Sequence, residues 1–135
     1  ALFQNIRVEK EFAALPQIVA DGSQLQQVFA NIIVNAAEAM DGNGILTIRT
    51  ILDRQNGCLM VEFVDTGHGI KEEDIPRLFE PFFTTKEVGK GTGLGLAISY
   101  GILQKHQGSI QVRSELGKGS TFTVILPVQK DESHE

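Results

Sequence analysis

The chain has a single cysteine, Cys58, in 135 residues. No disulfide can form within it, and a reducing compartment is the simpler setting. Cys58 falls in an apolar strand pattern and reads as a core residue rather than a reactive thiol. No apolar run approaches the ~20 residues of a membrane span, and no signal peptide is visible. Direct membrane contact is therefore not expected, and a cytoplasmic location is, with any anchor left to a parent protein. Basic residues are not in excess: 12 Lys and Arg stand against 17 Asp and Glu, a net charge of −5. That argues against a nucleic-acid groove. An acidic chain can still bind an anion locally, through backbone N–H groups, a few lysines or a metal. There is no internal repeat or low-complexity segment. Ala1 is not methionine and Lys130 to Glu135 are polar, so a piece of a longer protein is expected.

What is present is ordinary for a globular chain, with 41% hydrophobic and 21% charged residues. The length fits one domain with a sizeable core, spanning about 5–128 and followed by a polar tail at 129–135. Residues 5–12 alternate as a strand, and 17–20 read as a short second one. Over 23–40, Leu25, Val28, Phe29, Ile32, Ile33, Ala36 and Met40 form the apolar face of a helix. Asp21 with Gln24 suggests a capping box at its start. After the turn signal at 41–44, strands at about 45–53 and 58–65 predict a hairpin around Gln55-Asn56-Gly57. Regularity fails from Gly67 to Gly91 except for a helical stretch near 72–79, and so long a connection is usually functional or mobile. A second helix is predicted from about Gly93 to His106, with Gly108 as its cap. A second hairpin follows at 109–115 and 120–127. The expected fold class is α/β, a two-layer sandwich of a mixed, mostly antiparallel sheet packed on helices.

Four segments carry chemistry. The first helix has a polar stripe of Gln24, Gln27, Asn31, Asn35 and Glu38. Asparagine in a helix interior costs ~0.5 kcal/mol or more against alanine. Asn31 and Asn35, one turn apart, read either as a solvated face or as two amide oxygens able to hold a hard cation. Asp65 ends a strand and shares the face of Leu59, Val61 and Phe63. It either starts a tight turn or, buried, needs a partner such as the exocyclic amino group of adenine. Gly67 and Gly69 would let the backbone approach a flat ligand that Ile70 could cover. The aromatic run Phe79 to Phe83 either plugs the core or belongs to a site. The glycine run from Gly89 to Gly95 opens a helix, whose N–H groups and dipole suit an anion, with Lys86 and Lys90 as either helpers or solvated lysines.

Other readings fail. No Walker loop is present, and the run Gly91-x-Gly93-x-x-Leu96 makes a poor dinucleotide fingerprint. His68, His106 and His134 have no metal-ligand spacing with one another or with Cys58.

The order of these segments is more specific than any one of them. NIIVNA at 31–36, DTGHG at 65–69, FEPFF at 79–83, GTGLGL at 91–96 and GKGSTFTV at 117–124 together resemble the catalytic ATP-binding domain of two-component sensor histidine kinases. That domain has the Bergerat (GHKL) fold, and the resemblance runs from about Asn5 to Val128. Glu38-Ala39 and Phe82 to Lys86 look most like the nitrogen-regulator type.

The resemblance implies Mg·ATP binding and transfer of the γ-phosphoryl group to a histidine on a separate dimerisation domain, with a response regulator as indirect partner. Nothing in the chain matches that histidine-bearing domain, so the isolated chain is not expected to phosphorylate itself. By resemblance, Asn35 would hold magnesium through its side-chain oxygen and Asn31 would lie beside it, near the phosphates. Glu38 and Ala39 would belong to the same box. Asp65 would read the adenine amino group, with Gly67, Gly69 and Ile70 against the ring and Thr121 supporting Asp65 or a water. Residues 84–92 would form a mobile lid, with Phe83, Lys86 and Lys90 at its base and in it. Gly91, Thr92, Gly93, Leu94, Gly95 and Leu96 would lie at the phosphates, and Asn31 and Lys86 would serve catalysis.

Hydrolytic relatives such as gyrase carry a glutamate base one turn before the magnesium asparagine. Asn31 stands there in this chain and cannot accept a proton, so ATP hydrolysis should be weak. Glu38 stands where many sensor kinases have a basic residue, which shifts that contact to Lys86 or Lys90. Two competing readings are a serine kinase of the anti-sigma-factor type and a nucleotide-sensing module without catalysis.

Overall fold

A computed structural model describes residues 5–13, 20–81, 83 and 95–128. Strand β1 (Asn5–Glu11) leads to helix α1 (Gly22–Ala39), then β2 (Asn43–Asp53) and β3 (Cys58–Asp65). A 3-10 turn (Glu72–Arg77) precedes α2 (Gly95–Lys105), β4 (Ser109–Glu115) and β5 (Gly119–Pro127). The sheet order is β1-β2-β3-β5-β4. Among the described residues only β1 and β2 pair in parallel; β2–β3, β3–β5 and β5–β4 are antiparallel. The mixed, mostly antiparallel sheet and both hairpins match expectation. Residues 17–19 of the predicted second strand lie outside the described residues.

Strand alternation decides what the sheet gives to the core. Leu59, Val61, Phe63 and Asp65 of β3 are buried, and Leu46, Phe122, Val124 and Leu126 come from the neighbouring strands. Val28, Ile32 and Ala36 of α1 and Ile102 and Leu103 of α2 close over them. Burying one such side chain is worth about 1.5–3 kcal/mol. Cys58, expected in the core, has the opposite parity. It is only partly buried and shares the outer face with Glu62, which sits between Arg49 and Arg113.

The helix ends explain the tight connections. Asp21 caps α1 by accepting from the Gln24 N–H (3.1 Å) and the Ser23 hydroxyl (2.7 Å). The predicted capping box is only half made, because the Asp21 N–H donates to His106 Nε2 at 3.0 Å. His106 Nδ1 lies 2.9 Å from the Ile102 carbonyl. A carbonyl can only accept, so this imidazole carries its proton on Nδ1 and ties the end of α2 to the start of α1. Both helices end in a paired-bond cap. Gly42 donates to the Ala37 carbonyl and Asp41 to Glu38; Gly108 donates to Leu103 and Gln107 to Gln104. At each end a non-glycine residue is left-handed, Asp41 (φ 52°) and Gln107 (φ 59°), and at the end of α1 Gly42 (φ 77°) follows at positive φ as well. Gly108, expected as the cap, makes one of its bonds and is needed for closeness as well. A Cβ there would lie 2.6 Å from the Ile125 carbonyl oxygen.

Candidate functional site

The end of β3 holds the most unusual group in the molecule. Asp65 is a carboxylate only 3% exposed, placed there by the same alternation that buries Phe63. Its Oδ1 accepts the Gly67 N–H at 2.9 Å and the Ser120 N–H at 3.2 Å. Burial pushes its pKa above the usual carboxylate value; the Gly67 and Ser120 N–H groups and His68 pull the other way without cancelling it. No hydrogen bond to Oδ2 is found among the described residues, yet none of their buried side-chain oxygens or nitrogens lacks a partner. Oδ2 is therefore an acceptor that keeps some solvent access and is not paired with any of the described residues.

Thr121, expected to support Asp65, does not face it. The register pairs Thr121 with Val64 and Ser120 with Asp65, so Thr121 belongs to the outer face. Ser120, 5% exposed, has the role instead. It is part of a hydroxyl chain. Ser114 Oγ donates to the Gly119 carbonyl (3.1 Å), accepts the Ile70 N–H (2.7 Å) and lies 2.7 Å from Ser120 Oγ. Ser114 has one proton and spends it on a carbonyl, so Ser120 must be the donor between them. Reading two places back from the buried Phe122 would have selected Ser120.

The glycines after Asp65 have a reason beside the one expected. A Cβ on Gly67 would meet the Ala39 carbonyl oxygen at 2.6 Å, and one on Gly69 (φ 78°) would strike the Glu115 backbone. Both are required by protein packing. The loop is stitched down at each side: the His68 N–H donates to the Ala39 carbonyl (3.1 Å) and the His68 carbonyl accepts from Gly117 (2.8 Å). Ala39 thus joins the end of α1 to the Asp65 loop, and Ile70 packs against the core beside it.

On α1, Asn31, Asn35 and Glu38 fall along one stripe, and each is partly buried. Asn31 Nδ2 donates to the Gly95 carbonyl (3.1 Å) and to Ser99 Oγ (3.2 Å). α1 is therefore joined to α2 where the glycine run ends. Leu96 turns inward to the core. Phe83 has the Arg77 guanidinium over its ring, 4.4 Å from the centroid, and Phe79 stacks on Tyr100. Lys86, Lys90, Gly91, Thr92, Gly93 and Leu94 lie outside the described residues. Among the described residues no cluster of three His, Cys, Asp or Glu could hold a metal. Two of the oxygen donors on this stripe, Asn31 and Asn35, are amides, which suits a hard cation brought in with phosphate oxygens rather than one held in a protein cage.

A separate apolar cavity of about 390 Å³ lies further along the strands from Asp65, lined by Phe12, Phe29, Ile33, Ile48, Phe63 and neighbours. Among the described residues its single polar side chain, Thr50, is engaged with the Ala13 backbone, and no other described lining residue could pair with a polar ring or a phosphate.

Comparison with known proteins agrees with this geometry. Residues 20–130 match the family described as histidine kinase-, DNA gyrase B-, and HSP90-like ATPase, and the chain belongs to that family. Within it, the similar proteins are sensor kinases. The chain is 43% identical over 133 residues to sporulation kinase C of Bacillus subtilis, covering 97% of this chain and 30% of that protein. It is 41% identical over 114 residues to the sensor histidine kinase ZraS of Escherichia coli, covering 84% of this chain and 24% of that one. The chain thus spans less than a third of the length of these relatives. Among solved structures, the catalytic domain of histidine kinase ThkA superposes with a TM-score of 0.77 at 32% identity, covering 91% of this chain and 79% of that one. Full-length ShkA in complex with AMPPNP superposes at 0.82 and 29% identity, covering 93% and 26%. The α/β sandwich is that of histidine kinase catalytic domains. Among the described residues no helix is long and apolar enough to cross a membrane.

Proposed function

We propose that the chain binds Mg·ATP at the mouth formed by Asp65, the glycine loop and the polar stripe of α1. It would present the γ-phosphoryl group to a histidine on a separate dimerisation domain of a parent sensor kinase, which then serves a response regulator. The observation that carries this reading is the open Oδ2 of a nearly buried Asp65. A carboxylate so placed is an acceptor waiting for a donor, and the adenine exocyclic amino group is one. Asn35, with Asn31 beside it, would contribute oxygen to a magnesium ion carried by the phosphates, and that ion would neutralise charge on them. Glu38 and Ala39 would border this cation side of the site, and Ile70 the ring. Gly91, Thr92, Gly93, Leu94 and Gly95 would supply backbone N–H groups, and Lys86 and Lys90 charge. Phosphoryl transfer rests mainly on positioning and charge stabilisation, so a domain that holds the nucleotide can serve a partner that brings the nucleophile.

The test is calorimetric titration with ATP and with ITP, which carries a carbonyl where adenine has its amino group. A site that pairs a buried acceptor with that amino group should reject ITP by about 100-fold or more, since two acceptors would then face each other. Equal affinities would refute the assignment of Asp65.

A further inference from the structure

Asn31 has its amide direction decided by its neighbours. The Gly95 carbonyl, 3.1 Å from Nδ2, can only accept. Ser99 Oγ donates its one proton to that same carbonyl at 3.0 Å. Toward Asn31 it can then only accept, which it does from Nδ2 at 3.2 Å. Both amide protons of Asn31 are spent on α2. Turning the amide over would set Oδ1 against two oxygens with no proton between them. Asn31 is thus left with an acceptor, Oδ1, as its only group for a ligand.

Ser99 is the feature that needs a reason. It is 0% exposed, on a helix whose other buried residues are the apolar Ile102 and Leu103. Serine is a poor helix former compared with alanine, and alanine would fill this place without a hydroxyl to satisfy.

We infer that Ser99 is a positioning residue of the nucleotide site: with the Gly95 carbonyl it locks the Asn31 amide so that Oδ1, an acceptor only, faces the phosphate side. This rests on the Mg·ATP reading above. An acceptor suits a magnesium ion or a water bound to it, and cannot donate to a phosphate oxygen. Asn31 therefore serves the cation side of Mg·ATP and not the anion directly. The same lock fixes the first turn of α2, where the glycine run ends, against the helix that carries Asn35.

The test is calorimetry on the 135-residue chain with adenosine and with a non-hydrolysable ATP analogue, the latter with magnesium and with EDTA. Variants are Ser99→Ala, Ser99→Thr, Asn31→Ala and Asn31→Ala/Ser99→Ala. Adenosine affinity should stay within about twofold in Ser99→Ala, because Asp65 is untouched. The gain that magnesium gives to analogue binding should fall about 5- to 30-fold, the loss of one or two hydrogen bonds of about 1 kcal/mol each. Ser99→Thr, which keeps the hydroxyl, should restore most of that gain. In the Asn31→Ala background the Ser99 change should have no further effect, since it acts through Asn31. Equal losses for adenosine and the analogue, or additive effects of the two alanines, would overturn the inference. A magnesium gain that survives Ser99→Ala intact would overturn it while the nucleotide reading stands. Wild type that binds no nucleotide would overturn that reading first, and this inference with it.

Discussion

Asp65→Asn separates the ligand from the fold, because it should weaken one and not the other. In the folded chain, Oδ1 of the carboxylate takes the Gly67 and Ser120 N–H groups, and an asparagine oxygen can take both. The NH₂ group then stands where Oδ2 was and faces the adenine amino group, donor against donor. The lost charge-assisted hydrogen bond is worth about 1.5–3 kcal/mol, and a buried donor left without a partner adds about 1–3. Together that is roughly 100-fold or more in nucleotide affinity at 1.4 kcal/mol per tenfold. The ligand-free protein should respond in the opposite sense. Burial raises the Asp65 pKa above 3.8, so the folded chain holds a proton that the unfolded chain has released. Its contribution is present in full below pH 3.8 and is lost as pH rises through the folded value. Above that window wild type carries an unfavourable buried charge that Asp65→Asn lacks. Urea unfolding from pH 3.5 to 7.5, compared between the two proteins, reads this directly. The variant should be at least as stable as wild type at pH 7, and the advantage should shrink toward low pH. A variant that is less stable at pH 7 and binds ATP normally would refute the reasoning on both counts.

Two glycines should part company. Gly67→Ala puts a methyl group against the Ala39 backbone and should lower unfolding stability by about 1–3 kcal/mol by overpacking, measured in urea. At Gly95 a methyl group would meet Asn31 Cγ at an ordinary 3.7 Å, so Gly95→Ala should leave stability unchanged or better while Mg·ATP affinity falls in calorimetry. His106→Ala removes the imidazole bridge between the helices and should cost about 0.5–1.5 kcal/mol in the same unfolding assay. With Asn31 where a base would stand, steady-state ATP hydrolysis by the purified chain should be barely above background; rapid turnover would contradict that assignment.

Local pattern made the sheet and its inward face legible in the sequence. Two-residue alternation buried Leu59, Val61 and Phe63 and carried Asp65 with them, and the 3.6-residue period placed Val28, Ile32 and Ala36 of α1 correctly. Errors arose where a motif displaced that counting. Thr121 was chosen from a glycine-threonine pattern, although parity from Phe122 selects Ser120. Cys58 was judged by its apolar neighbours and not by its parity. Gly67 and Gly69, expected against a ligand ring, also make room for the Ala39 and Glu115 backbones, a requirement that no local pattern shows. Neither Ser99 and Ser114 as parts of the site nor His106 as a tie between the helices is legible in the sequence. Their partners Asn31, Ile70 and Asp21 lie 68, 44 and 85 residues away in sequence, and no spacing rule reaches that far. Lys86, Lys90 and Gly91 to Leu94 keep their sequence-based roles as proposals, because they lie outside the described residues.

The most direct test of the nucleotide site is a crystal structure of the chain with magnesium and a non-hydrolysable ATP analogue. The adenine amino nitrogen should lie within hydrogen-bond distance of Asp65 Oδ2, with the phosphates reached from the side of Asn31 and Asn35. Adenine seated elsewhere, for instance in the apolar cavity beside Phe12 and Phe29, with Asp65 Oδ2 facing only solvent, would contradict it.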